Sequence, residues 1–219
     1  MSESLYTQLL DLACGVFLLA AVLVLWRRQL AAFIRVFAAQ GIALAAIAAL
    51  LALHEHRWDL LGVAVLIAAL RAGLLPRLMR GALTAGGETH ESEPLVNVTA
   101  SLLTAAALTL LAYAVTRPLT ELAPTPATRA LPIGLAVVLI GFFTLATRRR
   151  ALSQVVGFLL VDNGITAVAF LATSGVPLIV ELGVSFDVLF AVLVLQVLTA
   201  RMRAAFGGTD LDDLRELHD

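Results

Sequence analysis

Two aspartates lie in the middle of long apolar stretches of this 219-residue chain. Asp162 falls in the segment 151–173 and Asp187 in the segment 178–200. An ionised side chain at the centre of a bilayer costs roughly 2.5–3.5 kcal/mol on insertion scales, so a carboxylate kept there favours a functional interpretation. Such a group can take up and release a proton when a neighbouring cation moves. The structural alternative is that each aspartate is protonated and hydrogen-bonded to a neighbouring helix.

Two further charged residues accompany the aspartates. Arg71 lies in the inner half of an apolar segment, five residues before Pro76, and Glu181 lies six residues before Asp187. Pro76 has no N–H, so one helical carbonyl near the arginine lacks its usual donor. Each residue also has a plainer interpretation. Arg71 would then extend its guanidinium towards the headgroups, and Glu181 would mark the end of a span.

Uncharged polar residues are placed to support these charges. At about 100° per residue, Thr166 and Thr173 fall on the helix face of Asp162, and Asn163 flanks it. Gln40 lies in an earlier apolar segment of similar pattern. The predicted proton path therefore consists of Asp162, Asp187, Glu181 and Arg71, with Asn163, Thr166 and Gln40 as supporting polar residues.

The sequence offers few residues for a metal site or for a covalently bound cofactor. Cys14 is the single cysteine, and His54 and His56 fall in a predicted outer loop, which argues against a thiolate or histidine metal site within the membrane. All fifteen basic residues are arginine, and a light-driven pump of the retinal type needs a lysine. We predict no cofactor, no nucleic-acid partner and no catalytic activity for the chain alone.

The elements that position these residues must be membrane helices. The chain is 60% hydrophobic and 14% charged, with a mean hydropathy of +0.95, whereas soluble domains are roughly 45–50% apolar and about 25% charged. The apolar residues gather in runs of about 20, the length that crosses ~30 Å of hydrocarbon as a helix. We predict an all-α polytopic membrane protein of about seven transmembrane helices, at residues 5–26, 29–53, 58–76, 95–115, 130–147, 151–173 and 178–200. The breaks from Gly81 to Pro94 and from Thr116 to Arg129 are predicted to be loops.

The distribution of arginine predicts the orientation of the spans. If the N-terminus is outside, ten arginines fall on the cytoplasmic side and three on the outer side, in keeping with the positive-inside rule. The cytoplasmic set is Arg27, Arg28, Arg77, Arg80, Arg148, Arg149, Arg150, Arg201, Arg203 and Arg215, and the outer set is Arg57, Arg117 and Arg129. We predict a multi-pass protein of the cell inner (plasma) membrane with a cytoplasmic C-terminus.

A faint parallel repeat relates the two halves of the chain. Gln40-Gly41-Ile42 matches Asn163-Gly164-Ile165, and each motif follows a pair of arginines at a comparable distance. After three spans the chain is on the opposite side of the membrane from where it began, so the same unit cannot begin again in the same orientation. A single linking span returns the chain to the starting side. We therefore predict a 3+1+3 plan, with a three-span unit at 1–80, loops plus the linking span at 81–129, a second three-span unit at 130–203 and a cytoplasmic amphipathic tail at 204–219.

Several motifs of the second half resemble a known family. They are Arg148-Arg149-Arg150, the run from Gly157 to Gly164, Val180-Glu181-Leu182-Gly183, and the run from Asp187 to Val192. The chain resembles component E of hydrogenase-4, and its C-terminal half is similar to subunit K of NADH:quinone oxidoreductase. The resemblance implies a non-catalytic membrane subunit of a complex-I-like oxidoreductase, which assembles with antiporter-like subunits around a proton-translocation path. Asp187 would be its mid-membrane carboxylate.

One departure from subunit K concerns the other acid. Leu159 stands where subunit K usually has glutamate, and the acid appears three residues later as Asp162, about 4.5 Å further along the helix on nearly the same face. The alternative function is a self-contained small-solute or ion carrier, since some carriers are built from parallel three-helix repeats. The two hypotheses differ in partners, because a carrier acts without other subunits.

Overall fold

A computed structural model describes residues 2–26, 30–86, 96–122, 124–148 and 151–173. Within these ranges the chain is helical and contains no strand, which confirms the predicted all-α class. The elements are α1 (Glu3–Trp26), α2 (Leu30–His54), α3 (Trp58–Ile67), a π-helix (Ala68–Leu74), α4 (Leu75–Gly86), α5 (Val98–Leu122), α6 (Pro126–Thr147) and α7 (Ala151–Thr173).

Six spans in the described part of the chain are long and apolar enough to cross a membrane. The third is composite, because α3, the π-helix and α4 follow one another without a break and supply the span Trp58–Gly81. The protein is therefore a multi-pass membrane protein. The seventh predicted span, 178–200, lies outside the described residues, as do Asp187, Glu181 and the tail 204–219. The proposed domain boundaries stay a prediction.

Glycines bring α6 and α7 into close contact along most of their length. A Cβ built on Gly141 would lie 2.7 Å from the backbone nitrogen of Val161, and one built on Gly164 would lie 2.7 Å from that of Val138. Small residues let helix backbones approach this closely, and such contacts replace the hydrophobic effect as the source of helix association in lipid. This packing holds α7, which carries Asp162, in a defined position.

Helix α5 lies at the edge of the described bundle. It contacts α6 and, to a lesser extent, α1, and many of its large apolar side chains are exposed, among them Leu103, Leu110 and Leu122. In a membrane protein this surface is solvated by lipid tails, so exposed leucines there need no further burial.

The loop predicted from Thr116 to Arg129 is wrong over most of its length. Helix α5 continues through Pro118 to Leu122, and α6 begins at Pro126. The polar residues are satisfied locally: Arg117 pairs with Glu121 one turn on, and Thr125 with Thr128 forms a capping box that starts α6. Only three residues, 123–125, separate the helices. In the same way α4 continues past the predicted break at Gly81 to Gly86.

Candidate functional site

The buried guanidinium of Arg71 is the centre of a polar cluster inside the bundle. Its side chain is only 2% exposed, and Nη2 lies 3.0 Å from Oδ2 of Asp162 on α7. The same guanidinium donates from Nη1 to Oδ1 of Asn163 and from Nη2 to Oγ1 of Thr166, the latter at 3.0 Å. One cation thus joins the third span to three polar residues of α7, Asp162, Asn163 and Thr166.

The cluster continues across the bundle through two amides. Asn163 donates from Nδ2 to Oε1 of Gln40 on α2 at 2.9 Å, and Gln40 donates from Nε2 to the backbone carbonyl of Phe17 on α1 at 3.4 Å. Asn163 and Gln40 are fully buried. Each amide needs both donors and acceptors when it is buried, so the chain Arg71–Asn163–Gln40 satisfies groups that would otherwise destabilise the interior.

The cluster lies near the middle of its spans. Asp162 is 9 residues from the start and 11 from the end of the span Ser153–Thr173, and Arg71 is 13 and 10 residues from the ends of Trp58–Gly81. At ~1.5 Å per residue these distances correspond to roughly 14–20 Å from either end. The alternative in which Arg71 extends to the headgroups is therefore wrong, because its guanidinium is bonded within the bundle at this depth.

The π-helix places Arg71 at this position. Pro76 has no N–H to donate to the carbonyl of Ala72, so the α-helical register cannot continue undisturbed across it. In the preceding turns the backbone adopts the wider register, in which the N–H of Leu75 donates to the carbonyl of Leu70, five residues back. Single π-helical turns inside longer helices are frequent at functional sites. Here the π-helical turn carries the one buried arginine of the third span.

Gly41 allows α2 to contact the π-helix backbone directly. A Cβ built on Gly41 would lie 2.9 Å from the carbonyl carbon of Arg71, closer than real Cβ atoms come, and 3.1 Å from the nitrogen of Ala72. The neighbouring Gln40 accepts from Asn163, which in turn accepts from the guanidinium of Arg71. The motif Gln40-Gly41 therefore supplies both an amide for the cluster and the small residue that lets the cluster form.

Charge and exposure distinguish the two ends of the ion pair. At an effective dielectric constant of ~20, opposite charges 3.0 Å apart attract by about 5.5 kcal/mol before desolvation is counted. The Asp162 side chain is 12% exposed, compared with 2% for Arg71, so the carboxylate is the more accessible partner. The carboxylate of Asp162 pairs with the guanidinium of Arg71, whose other partners are the Asn163 amide and the Thr166 hydroxyl. A carboxylate beside such a cation can bind a proton and release it. No group of three or more His, Cys, Asp or Glu residues suited to a metal ion occurs among the described residues.

Five of the seven predicted site residues come together in this cluster: Arg71, Asp162, Asn163, Thr166 and Gln40. The other two, Asp187 and Glu181, lie outside the described residues. Thr173, on the predicted face of Asp162, is exposed near the end of α7, where its hydroxyl donates to the carbonyl of Ala169 at 2.6 Å. It is not part of the cluster.

A second buried arginine was not identified from the sequence. Arg148 is 4% exposed and donates from Nη2 to the carbonyls of Val24 and Leu25, at 3.3 and 3.1 Å, near the end of α1. Its guanidinium carbon also lies 5.3 Å from the centre of the Phe33 ring. A cation at a helix C-terminus is stabilised by the carbonyls that the helix leaves unpaired. The sequence signal was a run of three arginines, in which nothing marks the first as buried.

Comparisons with known proteins support the family relation. Protein Rv0085 of Mycobacterium tuberculosis, described as uncharacterized, is 50% identical in an alignment 220 positions long that covers the full length of both chains. Hydrogenase-4 component E of Escherichia coli is 31% identical over 115 residues, or 52% of this chain and 53% of that protein, and that of Shigella flexneri matches equally. The chain thus aligns with about half the length of these hydrogenase components. No protein-family model and no solved structure matches it.

Proposed function

This chain belongs to the same family as protein Rv0085 of Mycobacterium tuberculosis, and we propose that it is an integral membrane subunit of a complex-I-like oxidoreductase of the membrane-bound hydrogenase type. The partial similarity to hydrogenase-4 component E supports this assignment. In the proposal the redox chemistry belongs to other subunits. The chain sits in the inner membrane with its N-terminus outside and contributes polar groups at mid-membrane depth.

The observation that carries the proposal is the buried pair of Arg71 and Asp162. Two charges removed from water are costly, and a buried pair is often no more stable than apolar residues of the same volume. Stability alone is therefore a weak reason for this pair, whereas a carboxylate beside a cation is suited to holding a mobile proton. The Asn163 amide oxygen and the Thr166 hydroxyl would keep the guanidinium hydrogen-bonded in both states of the carboxyl group.

The proposed step at this site is a single proton transfer. Asp162 accepts a proton from a neighbouring acid of the path and loses its charge, and Arg71 then keeps its hydrogen bonds to Asn163 and Thr166. When a neighbouring group withdraws the proton, the carboxylate pairs with Arg71 again. Asp187 and Glu181 are proposed as further members of the same path.

The proposed partners are antiporter-like and other membrane subunits. Gentle purification of the chain from its native membrane, followed by identification of copurifying proteins, tests this directly. Subunits resembling hydrogenases or antiporters are the expected result. If the chain instead purifies alone and moves a small solute into liposomes, the carrier hypothesis is correct and the subunit hypothesis is wrong.

The role of the carboxylate is tested in the intact complex. Asp162→Asn and Asp187→Asn should each lower the number of protons moved per electron in sealed membrane vesicles while the other subunits still copurify. Asp162→Glu keeps the charge and should retain more proton movement than Asp162→Asn. Asp59→Asn is the matched control, because Asp59 is an exposed carboxylate at the end of a span, paired with Arg57. Unchanged proton movement in an assembled Asp162→Asn complex contradicts the role proposed for this residue.

A further inference from the structure

A pocket opens between α5 and α6 at the end of the bundle where these two helices meet. Its volume is about 380 Å³, within the range of small-molecule sites. The lining residues are Tyr113, Ala114, Arg117, Thr120, Arg129 and Pro132. The pocket lies far along the chain from the Arg71 cluster, and none of its lining residues belongs to that cluster.

The pocket has an apolar base and a cationic mouth. Tyr113 and Pro132 are further from the helix ends, whereas Arg117 and Thr120 lie in the last turns of α5 and Arg129 in the first turn of α6. The α5 residues are spaced by four and three positions, so they share one helix face. The pocket therefore places two guanidinium groups above an apolar floor.

Both arginines retain donors for a ligand. Arg117 donates from Nε to Glu121 at 2.8 Å, and Arg129 donates from Nε to the carbonyl of Thr125 at 3.4 Å. Each guanidinium has five N–H groups, and within the described residues these contacts engage only Nε. Two arginines and one glutamate leave a net charge of +1 at the mouth, and guanidinium forks match the oxygens of a phosphate.

The surroundings of the pocket favour a ligand that carries both a negative charge and an apolar part. The mouth lies at the ends of two membrane-spanning helices, the level at which phospholipid headgroups begin. Exposed leucines of α5 extend from it towards the hydrocarbon, with Leu110 71% exposed and Leu103 68% exposed. A ligand with a phosphate and acyl chains would bind the arginines with one end and cover this apolar surface with the other.

We propose that the pocket formed by Arg117, Thr120, Arg129 and Tyr113 binds the phosphate of an anionic phospholipid headgroup, with an acyl chain lying along α5. The site is independent of the proposed proton path. By the predicted orientation it faces the outer leaflet.

The test is lipid binding to the purified full chain in neutral detergent, counted by native mass spectrometry. Phosphatidylglycerol is the probe, and phosphatidylcholine is the zwitterionic comparison. The unmodified chain should retain phosphatidylglycerol in preference to phosphatidylcholine. The double variant Arg117→Gln with Arg129→Gln should bind phosphatidylglycerol about tenfold more weakly, since each charge-assisted bond at an exposed site contributes modestly.

A matched control is available on the same predicted side of the membrane. Arg57 is also an exposed arginine paired with a carboxylate, that of Asp59, but it does not line the pocket. Arg57→Gln should therefore leave lipid binding unchanged. The double variant Arg117→Lys with Arg129→Lys keeps both positive charges but loses the paired N–H groups of guanidinium, so it should bind with intermediate strength. It also supplies the comparison if the glutamine variant does not fold.

Three results would overturn the proposal. One is a folded glutamine variant that binds phosphatidylglycerol as tightly as the unmodified chain. Another is an equal loss of binding in Arg57→Gln, which would indicate a diffuse charge effect. The third is displacement of the lipid by millimolar inorganic phosphate, since a site for the free anion gains nothing from an acyl chain.

Discussion

Replacing Asp162 by asparagine would leave a buried cation without its counter-charge. The attraction across 3.0 Å is about 5.5 kcal/mol at an effective dielectric constant of ~20, and removing one partner of a buried pair costs about 3–5 kcal/mol. Arg71 would still donate to Asn163 and Thr166. We therefore expect Asp162→Asn to lower the free energy of unfolding by about 3 kcal/mol, at the low end of that range.

A double-mutant cycle isolates the pair from these other bonds. Arg71→Gln removes the cation, and combining it with Asp162→Asn removes both charges, so the double variant should lose less stability than the sum of the single losses. We expect a coupling energy of about 2 kcal/mol, within the range for residues in direct contact. Reversible unfolding of the purified chain in mixed micelles, followed by circular dichroism, supplies the four free energies.

The exposed pair of Arg57 and Asp59 is the control for this cycle. Their side chains are 41% and 57% exposed, and exposed pairs contribute at most about 1 kcal/mol. The Arg57→Gln and Asp59→Asn cycle should therefore give a coupling energy below that value. If the Arg71–Asp162 cycle is additive within about 0.5 kcal/mol, the two charges do not pair in the membrane and the reasoning about the site is refuted.

Two further variants, each compared with a control variant, test how the helices of the bundle are held together. Gly41→Ala should destabilise the protein by about 1–3 kcal/mol, because the new methyl group meets the Arg71 backbone. Its control is Gly62→Ala, whose methyl group meets no other atom and which should be neutral or slightly stabilising in the same unfolding assay. Arg148→Gln should cost about 1–3 kcal/mol through lost charged hydrogen bonds to α1, whereas Arg129→Gln at the surface should change stability by less than about 0.5 kcal/mol. Equal effects within either pair would contradict the packing described.

The helical class and the depth of the charged residues could be predicted from the sequence. Hydropathy is a local sum over neighbouring residues, so runs of about 20 apolar residues mark spans without knowledge of their partners. The same runs single out Asp162 and Arg71, because a charge within them is costly wherever the helix packs. The ends of spans were predicted less well. The composition of the break from Thr116 to Arg129 predicted a loop, yet Arg117 and Glu121 within it pair on a helix.

The contacts between these residues were decided only by the tertiary structure. The repeat placed Gln40 and Asn163 at matching positions of the two halves. Their hydrogen bond, in which Asn163 donates to Gln40, depends on the approach of α2 to α7. The burial of Arg148 likewise depends on where α1 ends, more than a hundred residues earlier. Spacing along a chain fixes the face and depth of a side chain, whereas its partner depends on how separate helices rotate and approach. Glycines such as Gly41 set that approach through contacts that no local pattern records.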